Sequence, residues 1–385
     1  VARLRAGSPG GLVVKVALDV SAVPPRIAGA GRYIAEVAIR LTPLNVEATL
    51  VTRRDDVDRW RARAPGATLA PLVPASRVGR LFYEASRLGS SSVARHTDVW
   101  HAPHYTMPRR ANTPVVVTIH DLTFFTNPEW HERAKVLFFQ RAIRYSVAHA
   151  TELICVSAYT KRQLEAVLAP SVPVTVAPLG VDHARFHPRD DHDDATLAGA
   201  GLATTAPFVL FVGTLEPRKG LDVLLQAFTE LARDHADLEL WIVGQTGWSV
   251  GPISEQLRTH PFAHRVRRLG FVDEAVLPAL FRRARVVAYP SRGEGFGLPV
   301  LEAMACGASV VTSSDTVMAE VAGDAAMLCA AGNAVALASA LERVLNDDRD
   351  VTVARQRAAT SRAQNYTWEA MMDKHLEVYE RVRRA

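Results

Sequence analysis

Two clusters of charged residues stand out in this chain because each follows an apolar run and opens a helix-like stretch. The first is Glu294-Gly-Phe-Gly-Leu-Pro-Val-Leu-Glu302, placed after Val286–Tyr289 and the turn Pro290-Ser291. Gly295 and Gly297 let backbone approach a ligand where a Cβ would obstruct it. Pro299 suits a first helical position and Gly307 the cap beyond the last. Glu294 is thus expected in a strand-to-helix loop and Glu302 about one turn into the helix. Carboxylates so placed can grip vicinal hydroxyls of a sugar or ribose, and the free amides of the helix start can receive oxygens. Acidic residues in a first helical turn are also favoured by the helix dipole alone, but a plain cap needs no Gly-Phe-Gly-Leu-Pro insert.

The second cluster is Gly213-Thr-Leu-Glu-Pro-Arg-Lys-Gly220. Gly213 ends a strand tightly, and Arg218 and Lys219 point from a helix start toward the same sheet edge. Two fixed cations with helix amides make a diphosphate site that needs no metal. The spacing is not that of a GxxxxGK[ST] loop; a solvated basic loop is the plainer alternative. In the first half, Gly29-Ala30-Gly31-Arg32-Tyr33 fails GxGxxG, which disfavours a dinucleotide cofactor; the turn is equally consistent with a tight connection. His120-Asp121 follows the run Val115–Ile119 directly, which puts His120 either in a ligand crevice or among core histidines.

These residues need a scaffold, and the chain supplies one. Strands are expected at Val13–Leu18, Val46–Val51, Val115–Ile119, Leu153–Val156 and Val174–Val176, and then at Phe208–Val212, Leu238–Val243, Val266–Leu269, Val286–Tyr289 and Ser309–Thr312. Helical spacing lies between them at 31–41, 78–95, 131–149, 158–168, 221–233, 277–283 and 299–306. Such alternation means βαβ units and hence an α/β chain of two doubly wound parallel sheets. The break falls in 182–206, which reads as a linker or exposed loop. Its Asp190, Asp191, His192, Asp193 and Asp194 have the residue types of a metal site, but neighbours on a flexible loop rarely converge on one ion, and no metal is expected there. The tail carries a last helix with Trp368, Met371, Met372, Leu376 and Tyr379 on one apolar face.

Composition sets the class. The chain has 385 residues, 48% hydrophobic and 22% charged, which is the balance of a globular protein too long for one core. No apolar stretch approaches the ~20 residues of a membrane span, and residues 1–11 read as a frayed leader rather than a signal peptide. Three cysteines without CxxC spacing fit a reducing compartment. The net charge of +5 is spread along the chain and fits nucleic acid, a face meeting anionic lipid or, most plainly, a slightly basic solvated surface; charge alone decides nothing, and no nucleic-acid partner is expected. The basic and apolar residues of 77–95 and 133–144 fit either contact with an anionic membrane carrying a lipid-linked acceptor or ordinary amphipathic helices.

Taken together, these motifs resemble the family 4 retaining glycosyltransferases of GT-B architecture, two Rossmann-like domains facing across a cleft. The likeness runs from Gly29 to about Tyr379. The Glu294/Glu302 block with Arg218-Lys219-Gly220 is specific to that group. His120-Asp121-Leu122, Pro128-Glu129-Trp130-His131 and Val156–Thr160 resemble bacterial mannosyltransferases of cell-surface glycan synthesis, and Gly180-Val181-Asp182 with Phe186-His187-Pro188 matches their interdomain hinge.

The resemblance implies an N-terminal acceptor domain (1–180), a nucleotide-sugar domain (181–366) and a C-terminal helix (367–385) crossing back. It implies that Glu294 holds donor-sugar hydroxyls, Glu302 the ribose, Arg218 and Lys219 the departing diphosphate, and His120 the transferred sugar. The amides of Phe296, Gly297 and Leu298 would lie against sugar and phosphates, Gly31 beside Gly29 would close on a phosphate, and the base would rest near Gly244, Phe271 and Val272, with Gly213 and Gly295 completing the donor site. Glu216 and Pro217 depart from the usual lead-in and leave base preference open.

The implied reaction is metal-independent, cofactor-free hexosyl transfer with retention of configuration in the cytoplasm, from GDP-mannose first, or from a UDP-hexose or dTDP-rhamnose, to a glycan or polyprenyl-linked acceptor. An epimerase or phosphorylase of the same fold, or a non-catalytic nucleotide-sugar binding module, are the alternatives.

Overall fold

The computed structural model describes residues 13–25, 27, 29–44, 46–109, 111–247 and 251–384. The expected leader and Ala28 of the glycine turn lie outside the described residues. The chain divides into two compact units, Val1–Gly180 with Trp368–Ala385, and Val181–Thr367.

The first unit holds β1 (Val14–Asp19), β2 (Val46–Arg53), β3 (Thr68–Val73), β4 (Val99–Ala102), β5 (Val115–Ile119), β6 (Glu152–Cys155) and β7 (Val174–Val176). They form one sheet in the order β3-β2-β1-β4-β5-β6-β7, every described pair parallel. The order reverses between β1 and β4, so the crevice of this sheet opens where Asp19 and the segment after Ala102 leave their strands. β4, β5 and β6 are buried from end to end, as strands covered on both faces must be. The final helix, Trp368–Arg384, packs in this unit and buries Trp368, Met371, Met372, His375, Val378, Tyr379 and Val382. Leu376, expected on that face, is only half-buried, and His375 takes the central place.

The second unit holds β8 (Phe208–Val212), β9 (Glu239–Val243), β10 (Val266–Gly270), β11 (Val286–Tyr289), β12 (Val310–Ser313) and β13 (Met327–Cys329). Their order is β10-β9-β8-β11-β12-β13, again all parallel. Here the reversal lies between β8 and β11, the strands that lead into the two charged motifs. The helix Leu221–Asp234 buries Leu221, Leu224, Leu225, Phe228, Leu231 and Ala232 at helical spacing against the sheet.

Several elements differ from the sequence expectation, each for a local reason. β3, β4 and β13 were not expected. β3 carries Pro71, which an edge strand tolerates; β13 is a three-residue edge, and β4 is four residues with a histidine among them. The helix expected over 78–95 is broken into Arg77–Ser86 and Ser92–Arg95. Gly89 lies in the break, where a Cβ would come 2.6 Å from the Arg109 carbonyl oxygen, and Ser91 caps the second piece by accepting from the Ala94 amide.

The 182–206 segment is not a free linker. It contains the helix Asp193–Gly199, and Arg282 holds it, donating to both Asp193 oxygens at 2.9 and 2.7 Å and to the His187 carbonyl at 2.9 Å. Among the described residues no group of three or more His, Cys, Asp or Glu is arranged to hold a metal, and no described helix is long and apolar enough to cross a membrane.

Candidate active site

In the second unit the two motifs meet. β8 and β11 end side by side, and the loops that follow turn toward each other. The first loop closes with a short turn, Pro217–Lys219, after which Gly220 adopts φ +72° to enter the helix Leu221–Asp234. A Cβ on Gly220 would come 2.1 Å from the Pro290 carbonyl oxygen, so the two loops touch backbone to backbone. The Arg292 amide donates to the Arg218 carbonyl at 2.7 Å, and Arg292 forks onto both Asp222 oxygens at 2.9 and 2.6 Å.

Glu294 sits at the centre with its side chain 11% exposed. Arg218 Nη1 meets its Oε2 at 2.7 Å, and Lys219 Nζ pairs with Oε1. The Tyr289 hydroxyl donates to Oε1 at 3.2 Å and Ser291 Oγ at 3.0 Å, while Lys219 donates to the Tyr289 oxygen at 2.8 Å. Arg218 further reaches the Gly293 carbonyl at 3.1 Å and Glu216 at 3.0 Å. Burial alone would push the Glu294 carboxyl up, but Arg218 and Lys219 hold it at about 2. Burial, with Arg218 adding to it, pushes the Lys219 ammonium down, against the pull of Glu294. Burial and the Glu294 charge raise the Tyr289 phenol, which stays neutral.

The remaining predicted donor residues of this unit lie along the same sheet edge. Gly297 caps the helix Leu298–Ala305 with φ +97°, and Glu302 is the fifth residue of that helix. Phe296 is buried, its ring edge-on to Tyr366 at 5.8 Å, and Gly295 is partly exposed between it and Glu294. Gly244 has φ +143°, and its Cβ would fall 1.9 Å from the Gly213 carbonyl oxygen, which closes the ends of β8 and β9 together. Phe271 is 60% exposed just past β10, with Val272 half-buried beside it. Tyr289 and Ser291 are site residues that sequence reasoning passed over. A tyrosine at the end of a buried strand reads as core, and Ser291 reads only as turn.

The first unit places His120 just past β5. Its Nε2 lies 2.8 Å from the Pro103 carbonyl, its own carbonyl accepts from Thr160 Oγ1 at 3.1 Å, and Tyr33, His104 and Tyr105 surround the ring. A carbonyl only accepts, so Nε2 carries the hydrogen. Burial lowers the imidazole pKa, although Pro103 and Asp121 oppose this. The neutral ring therefore has its lone pair on Nδ1.

Gly29 (φ +53°) precedes the helix Ala30–Leu41, whose second residue is Gly31. A Cβ on Gly31 would make only ordinary contacts, at 3.6 Å from Val23 and Ile27, so packing does not demand glycine there. Tyr105, one of the residues around His120, has φ +56°, an uncommon conformation for a bulky residue. At the same sheet edge Glu84 takes Arg80 at 2.9 Å and Ser21 Oγ at 3.5 Å. Burial and Asp19 raise its carboxyl to about 7.

Residues 27–185 match the family model Glycosyltransferase Family 4, and residues 194–364 match Glycosyl transferases group 1. The chain belongs to the family 4 glycosyltransferases. This glycosyltransferase is 29% identical over 285 residues to O-antigen chain mannosyltransferase B of Escherichia coli, a match spanning 73% of this chain and 74% of that one. It is 34% identical over 281 residues to the phosphatidyl-myo-inositol mannosyltransferase of Mycolicibacterium smegmatis, spanning 71% and 66%. The match to the serotype-specific mannosyltransferase WbdA of Escherichia coli, 34% over 205 residues, spans 51% of this chain and a quarter of that longer one.

Among solved structures, sucrose-phosphate synthase from Thermosynechococcus elongatus superposes with a TM-score of 0.77 at 21% identity over 96% of this chain and 98% of that one. Anabaena HepE in complex with UDP-glucose superposes with 0.75 at 19% identity over 94% and 98%. The fold of this glycosyltransferase is GT-B.

The ion cluster of this glycosyltransferase predicts a specific acid response. A carboxyl titrating lower in the folded than in the unfolded chain stabilises above about pH 4.3, and that contribution is lost as pH falls toward the folded value. Denaturant unfolding of the wild type and Glu294→Gln should therefore show a stability gap that narrows by on the order of 3 kcal/mol as pH falls from about 4.3 to 2. A gap that stays constant over that range contradicts the charge state assigned to Glu294.

Proposed function

We propose that this glycosyltransferase moves a mannosyl residue from GDP-mannose to a hydroxyl of a cell-surface glycan or lipid-linked acceptor, with retention of configuration and without a metal. The observation that carries the reading is the buried convergence of Arg218 and Lys219 on Glu294 at the strand-order reversal of the second unit. Breaking an anomeric bond to a diphosphate puts negative charge on the leaving group. Two oriented cations in a site of low exposure stabilise that charge strongly. The carboxylate that orients them keeps acceptor capacity on Oε2 for a sugar hydroxyl. Glu302, on the helix Leu298–Ala305 that follows the Glu294 loop, is assigned the ribose, and the exposed Phe271 the base. The relatives described as mannosyltransferases favour mannose over other hexoses.

The expected order of nucleotide effects follows. GDP should raise the melting temperature more than UDP, dTDP or ADP, by mass action on the folded state. Lys219→Ala should abolish most of that shift and cut turnover of GDP-mannose about 10²-fold, while EDTA leaves wild-type turnover unchanged. A larger shift with UDP or dTDP transfers the reading to another donor. Near-normal turnover of Lys219→Ala at saturating donor removes Lys219 from the mechanism.

His120 is assigned a sugar hydroxyl as partner, and its tautomer makes the bond one-sided. With Nε2 committed to Pro103, Nδ1 accepts and the sugar hydroxyl donates. Asparagine puts an amide oxygen near the Nδ1 position, whereas glutamine reaches the Nε2 position. His120→Asn should thus retain about tenfold more activity than His120→Gln, the worth of one such bond. Equal activities, or the reverse order, contradict the assignment.

The helix Arg133–His149 supports placement at an anionic membrane surface. It contains no Asp or Glu, and exposes Leu137 and Phe138 between Arg133, Arg141 and Arg144. Such a face buries its apolar side chains at the interface and its cations among acidic headgroups. The chain should co-sediment with phosphatidylglycerol-containing vesicles and not with pure phosphatidylcholine. The double substitution Leu137→Asp, Phe138→Asp should abolish it; retention by that variant contradicts the placement.

A further inference from the structure

In the first unit the side chains of Tyr33, His101, Thr118, His375 and Tyr379 have no exposed surface. They lie on the helix Ala30–Leu41, on β4 and β5, and on the final helix. Their contacts are all short: Tyr379 Oη to His101 Nδ1, 2.7 Å; His101 Nε2 to Thr118 Oγ1, 2.8 Å; Thr118 Oγ1 to Tyr33 Oη, 2.8 Å; Tyr33 Oη to His375 Nε2, 2.7 Å; His375 Nδ1 to the Met371 carbonyl, 2.8 Å.

One end of this series fixes every hydrogen in it. The Met371 carbonyl accepts only, so His375 Nδ1 is the donor. Burial keeps His375 neutral, with its pKa pushed down to about 4, so Nε2 is bare and Tyr33 must donate to it. The tyrosine hydroxyl has one hydrogen, so its oxygen accepts from Thr118. Thr118 has then spent its own hydrogen and accepts from His101 Nε2. His101, also kept neutral by burial and by the nearby histidines, is left with a bare Nδ1, which accepts from Tyr379. The bonds all run one way, from one turn of the final helix through the sheet and the first helix to an earlier turn of the final helix.

Tyr33 has a second neighbour. Its ring stands edge-on to His120, centroids 5.1 Å apart at 80°, and it lies in the first turn of the helix that begins beside Gly29 and Gly31. We propose that Tyr33 is a positioning residue for His120, held in place by the final helix through the one-way series Tyr379, His101, Thr118, Tyr33, His375, Met371. The part concerning His120 in catalysis rests on the function proposed above; the series itself does not. Aligned hydrogen bonds polarise one another and specify a single arrangement when every member is satisfied, as here.

The test uses nitrogen-15 NMR of histidines in the full chain at neutral pH, with GDP-mannose turnover measured in parallel. His101 should carry its hydrogen on Nε2 and His375 on Nδ1. The opposite tautomer, or a charged ring, at either residue overturns the series. Tyr33→Phe keeps the ring and removes the hydroxyl; it should leave the His375 hydrogen on Nδ1, where Met371 holds it, relax the tautomer preference of His101 by freeing the Thr118 hydrogen, shift the His120 resonances, and lower kcat about tenfold with KM for GDP-mannose unchanged.

Thr118→Val breaks the series without altering the Tyr33 ring and should act likewise, which covers the case in which Tyr33→Phe does not fold. His120 resonances and kcat at wild-type values in a folded variant overturn the positioning role. If the wild type turns over no GDP-mannose, the functional reading fails, and the tautomers still decide the series.

Discussion

Burying a carboxylate with two cations is costly unless each charge finds its partner, and the second unit is organised around meeting that condition at Glu294. Losing one member of such a group costs about 3–5 kcal/mol because the others are left uncompensated. Arg218 and Lys219 come from the loop after β8 and Glu294 from the loop after β11, so the group can form only if those two strands lie side by side. The parallel order of the sheet provides this. The rest of the neighbourhood serves the same end: Tyr289 and Ser291 occupy Oε1, and the fork of Arg292 on Asp222 ties the second loop to the helix that follows the first.

The fold class was legible because fully buried parallel strands read as continuous apolar runs, as in Val115–Ile119 and Phe208–Val212. What escaped were elements that lack such a run: β3 with its proline, the three-residue β13, and β4 interrupted by His101. The acidic stretch at Asp190–Asp194 reads as loop because the arginine that neutralises it, Arg282, is far along the chain. The charged core of the candidate site was visible as motifs, since local backbone chemistry, a strand followed by glycines and a helix start, leaves a local signature. The tyrosine that completes it was not, because a hydroxyl at the end of an apolar strand has no pattern of its own. His375 was missed for a related reason. Helical spacing selects a face by hydrophobicity, and a neutral histidine whose partners lie on other elements has no weight in that count.

The histidine series of the first unit and the Glu294 group of the second thus handle buried polarity in opposite ways. In the second, ionised groups compensate one another, and stability depends on keeping Glu294 deprotonated. In the first, burial drives His101, His120 and His375 to the neutral form, and hydrogen bonds rather than charges fix their orientation. Ion pairs tolerate displacement because Coulomb attraction falls slowly with distance, whereas neutral hydrogen bonds are lost within a fraction of an ångström. Ion pairs suit a pocket that receives a charged ligand, neutral hydrogen bonds a framework that holds one ring still.

The approach of Gly220 to the Pro290 carbonyl has a bearing on how such chains diverge. Because no side chain fits between those two backbones, the loops after β8 and β11 behave as a single welded piece. An insertion in either would separate both from the cations and the carboxylate they carry. Changes of sequence that spare this group are therefore left to segments outside the weld, such as the stretch beyond β10 with its exposed Phe271. A chimera made by moving only one of the two loops would inherit neither parent's pocket.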